Sequence, residues 1–180
     1  MRRLLLGCAA LAVACSVQQN NLSPGTQPSF EGFQGTKEQA GLKLGGVNGY
    51  LGRSCGSLDC HGQVGRGLRL YSETGLRMPE GRASDAGDKT PGLGPITPAE
   101  VGQNYLAVVA LEPELMEQVV ADGGDGPERL LLIRKPMGYD THKGGRIFLD
   151  VTDPGYVCLT SWLAGKVDEA QCRAGWAFQE

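Results

Sequence analysis

The sequence predicts a mainly α-helical domain with long glycine-rich loops, and three observations carry that expectation. Thr97-Pro98-Ala99-Glu100 reads as a complete helix start, with threonine as N-cap, proline in the first turn and glutamate three residues after the cap. Asp153-Pro154 opens a second well-marked helix, in which Tyr156, Leu159, Trp162 and Leu163 share one face until Gly165 ends it. No strand pattern persists for long, and 28 glycines in 180 residues leave wide stretches to loops.

The elements follow in chain order. Arg2 and Arg3 form a short basic head, and Leu4 to Ala14 form an apolar run too short to cross a bilayer, so residues 1–14 read as an export signal. Ala12-Val13-Ala14 supplies the small residues that cleavage needs. Leu11-Ala12-Val13-Ala14-Cys15 resembles the lipobox of bacterial lipoproteins, although its leucine stands one residue further back than usual. Cys15 is therefore the expected lipidation site, with ordinary cleavage as the alternative; Cys8 is read as part of the signal. The expected location is the periplasmic side of the bacterial envelope, on the outer membrane through a lipid anchor. Residues 15–40 read as a lipidated, disordered tether, because the stretch from Ser16 to Pro28 is polar and has no apolar period. An ordered arm packed on the domain is the other reading, since Phe30 and Phe33 lie just downstream.

Residues 41–180 read as the folded domain. Val47, Tyr50 and Leu51 sit at helical spacing, weakened by Gly45, Gly46 and Gly49. Residues 62–95 read mostly as loop. After the Thr97 cap, Val101, Tyr105, Val108 and Val109 give one apolar stripe; Leu115, Met116, Val119 and Val120 give another, closed by Gly123-Gly124. Pro127 to Ile133 reads as a further helical turn before Pro136, and the Asp153 helix is the last one expected. Loss of Arg2 and Arg3 leaves 15 basic against 20 acidic residues. The basic residues form no stripe in the sequence, which excludes nucleic acid as the expected partner.

Chemistry concentrates in Arg53-Ser54-Cys55-Gly56-Ser57-Leu58-Asp59-Cys60-His61-Gly62. A histidine directly after a cysteine, with a second cysteine upstream, is the arrangement that attaches haem c covalently. The thiols of Cys55 and Cys60 would add across the vinyl groups, and His61 would become the proximal iron ligand. The spacing is C-x4-C-H, two residues longer than the common form. A small disulfide loop and a site for another metal are the competing readings. With Cys8 and Cys15 set aside, four cysteines remain: Cys55, Cys60, Cys158 and Cys172. They fit two disulfides, or a doubly attached haem plus a Cys158–Cys172 bridge that would pin the C-terminal segment. Haem iron takes two axial ligands. His142, Met137 and Met78 are the candidates for the second, and Gly144-Gly145 would let backbone approach a flat cofactor closely.

Two blocks of this chain resemble small cytochrome-c-like domains of bacterial envelope proteins. The first is Cys60-His61-Gly62, Gly67-Leu68-Arg69-Leu70-Tyr71 and Thr74-Gly75-Leu76-Arg77. The second runs from Pro127-Glu128-Arg129-Leu130-Leu131-Leu132 through Lys135-Pro136 and His142-Lys143-Gly144-Gly145 to Tyr156, Leu159, Trp162 and Gly165. Together they span about residues 50 to 166 with a poorly matched middle. The resemblance implies a mostly helical haem c domain with His61 as proximal ligand, and it raises His142 above Met137 as distal ligand. The chain departs from the pattern in its C-x4-C spacing and in Cys158 and Cys172. The expected function is electron transfer by a membrane-tethered monohaem cytochrome c, exchanging electrons with a redox protein partner. Two protein axial ligands would leave no open position for a substrate, which argues against an enzyme. The alternative is a haem-free, disulfide-stapled envelope lipoprotein acting as a binding or assembly module; a haem enzyme or gas sensor would need an open distal position.

Overall fold

The structure is a computed structural model, and it describes residues 27–36, 45–79 and 94–177. Residues 1–14 and Cys15 lie outside the described residues. The fold is mainly helical: α1 (Phe30–Gln34), α2 (Gly46–Ser54), α3 (Pro98–Val109), α4 (Pro113–Ala121), α5 (Leu131–Arg134), α6 (Pro154–Leu163) and α7 (Glu169–Ala177), with a 3-10 turn at Pro127–Arg129. Among the described residues the β structure amounts to one isolated bridge between Tyr71 and Leu76.

Helix α2 is the hub. It packs on α1, α6 and α7, and Val47, Tyr50 and Leu51 are buried as their spacing predicts. Its glycines, poor for an isolated helix, matter less than the tertiary packing of its apolar face. The partner helices give way to Tyr50: a Cβ added to Gly155 would lie 2.2 Å from the Tyr50 hydroxyl, and one on Gly175 would lie 2.9 Å from its ring. Larger residues at either position would collide with α2.

Helix α3 begins as predicted. The Thr97 hydroxyl accepts from the Glu100 N–H, and the Glu100 carboxylate accepts from the Thr97 N–H, closing the capping box. Glu100 and Asn104, one turn apart on the same face, then hold the irregular segment that follows His61. Arg77 donates through Nε and Nη2 to the two oxygens of Glu100 at 3.0 and 3.1 Å, and the Met78 N–H donates to the same carboxylate at 2.8 Å. Asn104 accepts from the Tyr71 N–H and donates to the Tyr71 carbonyl and to Asn48 Oδ1. Two buried polar clamps thus replace the missing secondary structure of residues 62–79, because each buried main-chain polar group needs a partner.

Two elements go beyond the predicted set. The tether expected up to residue 40 gives way earlier to folded chain: α1 is capped by the Ser29 hydroxyl, and Phe33 is fully buried against Trp162 and Tyr105. Main-chain carbonyls fasten this arm, Ser29 accepting from the Trp162 indole and Pro28 from the Tyr105 hydroxyl. The ordered-arm reading holds for residues 27–36. Helix α7 follows the helix expected to be last. Asp168 starts it by accepting from the Gln171 and Cys172 N–H groups, and the Cys158–Cys172 disulfide, with Cα atoms 4.6 Å apart, ties it to α6. Its amphipathic pattern is weak, so its position follows from the bridge and from packing on α2.

Candidate functional site

The end of α2 turns directly into the cysteine segment. The Cys55 N–H donates to the Leu51 carbonyl, and the His61 N–H donates back to Cys55 at 2.9 Å, so residues 55–61 form a closed loop. The two extra residues of the C-x4-C spacing are taken up by turns in which the Cys60 and Gly62 N–H groups both donate to Ser57. Gly62 is demanded by close approach: a Cβ there would stand 2.1 Å from the Gly56 carbonyl oxygen. Cys55 and Cys60 are free thiols, partly exposed, and do not form the second disulfide considered from the sequence. Burial, with Cys60 nearby, pushes the Cys55 thiol up to about 12, so it is a neutral thiol at neutral pH.

His61 faces His142 across a cleft. The two imidazole rings are nearly parallel, with 16° between their planes, and their centres are 6.1 Å apart. Each ring is oriented by its own loop: His61 Nδ1 bonds to the Leu68 carbonyl and His142 Nδ1 to the Gly145 carbonyl, both at 2.8 Å. A carbonyl only accepts, so both Nδ1 atoms carry the proton and both Nε2 lone pairs are left bare in the neutral rings. This backbone bond on the far nitrogen is how metal-ligating histidines are held. Burial is the main influence on His61 and lowers its pKa, which favours the neutral ligand form. Gly145 adopts φ 74°, a left-handed conformation that glycine takes without strain and that closes the turn on His142.

A cavity of about 350 Å³ opens beside the histidine pair, with Leu51, Leu132, Phe148 and Leu159 as its apolar wall and Lys135, Thr141 and Lys143 toward its rim. A second cavity of about 170 Å³ lies on the cysteine side, bounded by Ser54, Cys55, Cys60, Arg66 and Lys143. Cys55, His61, His142, Lys143 and Ile147 border both.

The spacing of the two rings is that of imidazoles that share one metal. A metal–imidazole bond is about 2 Å long, and a ring nitrogen stands about 1 Å from its ring centre, so two imidazoles sharing one metal have centres roughly 6 Å apart. The observed separation matches. Among the described residues no group of three or more His, Cys, Asp or Glu side chains is placed to hold a metal alone; a pair of histidines suits a metal whose other ligands come from a macrocycle.

Of the residues singled out in the sequence, Cys55, Cys60, His61 and His142 are brought together. Met137 is 3 % exposed within the core and borders neither cavity. Met78 is likewise buried, its main chain clamped to Glu100. Sequence reading missed Ile147 and Phe148 as cavity walls, and the carbonyls of Leu68 and Gly145, which no side-chain pattern announces. Comparison with family models, curated proteins and solved structures finds no match for this chain.

Proposed function

We propose that this protein is a monohaem c-type cytochrome that carries electrons in the bacterial cell envelope. The observation that supports it best is the facing His61–His142 pair, 6.1 Å between ring centres, beside two free cysteines and an apolar cleft. Cys55 and Cys60 would hold the group covalently as thioethers, and His61 and His142 would supply ligands to its iron. The iron, when bound, supplies a one-electron couple. Leu51, Leu132, Phe148 and Leu159 exclude water and lower the local dielectric, one of the levers that set a haem potential. Leu68 and Gly145 orient the ligand rings and raise their basicity through Nδ1. The sequence pattern of residues 1–15 supports an exported, lipid-anchored form of this cytochrome on the periplasmic side of the outer membrane, where a redox protein would be its partner.

Expression with a haem c maturation system tests this reading. The protein retains a haem stain through denaturing electrophoresis and shows a six-coordinate, low-spin visible spectrum. A colourless protein that migrates without haem would support the alternative, a haem-free envelope lipoprotein acting as a binding or assembly module.

A further inference from the structure

A third cavity, of about 480 Å³, shares only Ile147 with the two that border the histidines. Its size suits a small molecule, and the haem reading gives it no role. The start of α6 and the turn before it supply Asp150 and Asp153 as carboxylates and Leu149 and Pro154 as apolar surface. Leu149 is 74 % exposed, which leaves an apolar edge open to solvent. Tyr50 borders the cavity as well, packed against Gly155 and Gly175, the two glycines that make room for it. No lysine or arginine lines it.

The polar groups here are rich in acceptors and short of donors. Asp150 accepts from the Thr152 N–H and hydroxyl, and Asp153 accepts from the Gly155 and Leu149 N–H groups. Those donors are neutral, so both carboxylates keep their charge. Arg146 stands near Asp150 and offsets part of that charge, but its guanidinium donates to the Phe148 and Leu149 carbonyls and does not border the cavity. Tyr50 is 2 % exposed, with Ser54 and Asp153 near its hydroxyl. That hydroxyl makes no hydrogen bond to Ser54, whose Oγ is itself without a partner. Burial above all raises the phenol beyond its ordinary range, so it stays protonated. A buried hydroxyl left unpaired is costly, and this one borders a cavity that holds two carboxylates and no cation. An ammonium, with three donors and no acceptor, completes such a set.

We propose that this cavity binds a small organic amine, with its ammonium between Asp150, Asp153 and the Tyr50 hydroxyl and its apolar body along Ile147, Leu149 and Pro154. A bare metal ion is the weaker match, because among the described residues no group of three or more His, Cys, Asp or Glu side chains is placed to hold one.

The probe is n-hexylamine, an ammonium at neutral pH, titrated by NMR into the chain carrying Cys15→Ser, with and without haem. Signals of Tyr50, Leu149, Thr152 and Gly155 shift saturably, and hexylamine binds about 10-fold more tightly than 1-hexanol. Asp150→Asn and Asp153→Asn each weaken binding by about 2- to 5-fold; asparagine keeps the helix cap at position 153. Tyr50→Phe, which retains the ring, weakens it by about 5-fold. Asp150 is exposed, so its substitution carries the test even if Tyr50→Phe does not fold. Asp125→Asn, which does not border the cavity, leaves binding unchanged. Equal binding of 1-hexanol, or shifts centred on His61 and His142, would overturn the proposal in favour of partition into the apolar cleft. Calcium chloride causing the same shifts at lower concentration would overturn it in favour of a metal ion. The haem-free titration needs no cofactor, so its outcome is separate from that of the cytochrome reading.

Discussion

His142 and Met137 are five residues apart, and the fold gives them different chemistry. His142 reaches the cleft because Gly145 turns the chain back and its carbonyl fixes the ring. Met137 faces inward and packs with the core. In the haem-loaded protein, His142→Ala opens the sixth position, alters the visible spectrum and lets carbon monoxide bind the reduced form. Met137→Ala leaves the spectrum alone and lowers stability by about 2–5 kcal/mol, the cost of truncating a buried side chain. Glu100 supports a second test at this scale. Burial alone would raise its pKa, but hydrogen bonds from Arg77, Thr97 and Met78 win, and the carboxyl sits below its ordinary 4.5. A depressed folded pKa means that its stabilisation is present above the unfolded value and is lost as pH falls through the folded one. Glu100→Gln therefore destabilises the domain at neutral pH, on the scale of about 3–5 kcal/mol for breaking a buried pair, and flattens the acid side of the thermal-stability profile. The histidines and cysteines could be picked out from sequence because their chemistry is rare. The Arg77–Glu100 clamp could not, since one arginine in a glycine-rich loop reads as solvated until a buried carboxylate is seen beside it.

Helices α3 and α6 were legible because their starts are written locally, Thr97 with Glu100 in one case and Asp153 with Pro154 in the other. Replacing Thr97 by Ala removes the cap and costs about 1 kcal/mol, readable as a lower denaturation midpoint with an unchanged slope. Helices α1 and α7 were not legible, and for a shared reason. Each is short or weakly patterned, and each is held by residues more than a hundred positions distant. Trp162 donates to Ser29, and Glu169 accepts from Thr36 through both main chain and hydroxyl. Helix α7 is tied locally as well, by the Cys158–Cys172 bridge between residues 14 apart in sequence. Closing a loop of this length restricts the unfolded chain by about 3 kcal/mol. The double variant Cys158→Ala/Cys172→Ala loses about 2–4 kcal/mol in chemical denaturation and becomes prone to proteolysis between α6 and α7. An unchanged midpoint would mean that packing against α2 alone holds the C-terminal helix.

At the scale of the whole molecule, the helices serve mainly as a frame for two irregular segments. Helix α2 delivers Cys55, α3 clamps the chain after His61, and α5 and α6 bracket the segment that carries His142. The sequence made the class of fold and the identity of the cleft residues readable, because helix starts and Cys-His motifs are local. The facing of the two histidines depends on those distant clamps and emerges only in three dimensions. As proposed above, this frame would hold a haem covalently at Cys55 and Cys60, with His61 and His142 as ligands to its iron. The direct measurement is peptide mass spectrometry on protein exported in a strain with a haem c maturation system. One fragment containing both cysteines is expected to carry the added mass of a single haem. A fragment with unmodified thiols, or with a Cys55–Cys60 disulfide, would contradict it.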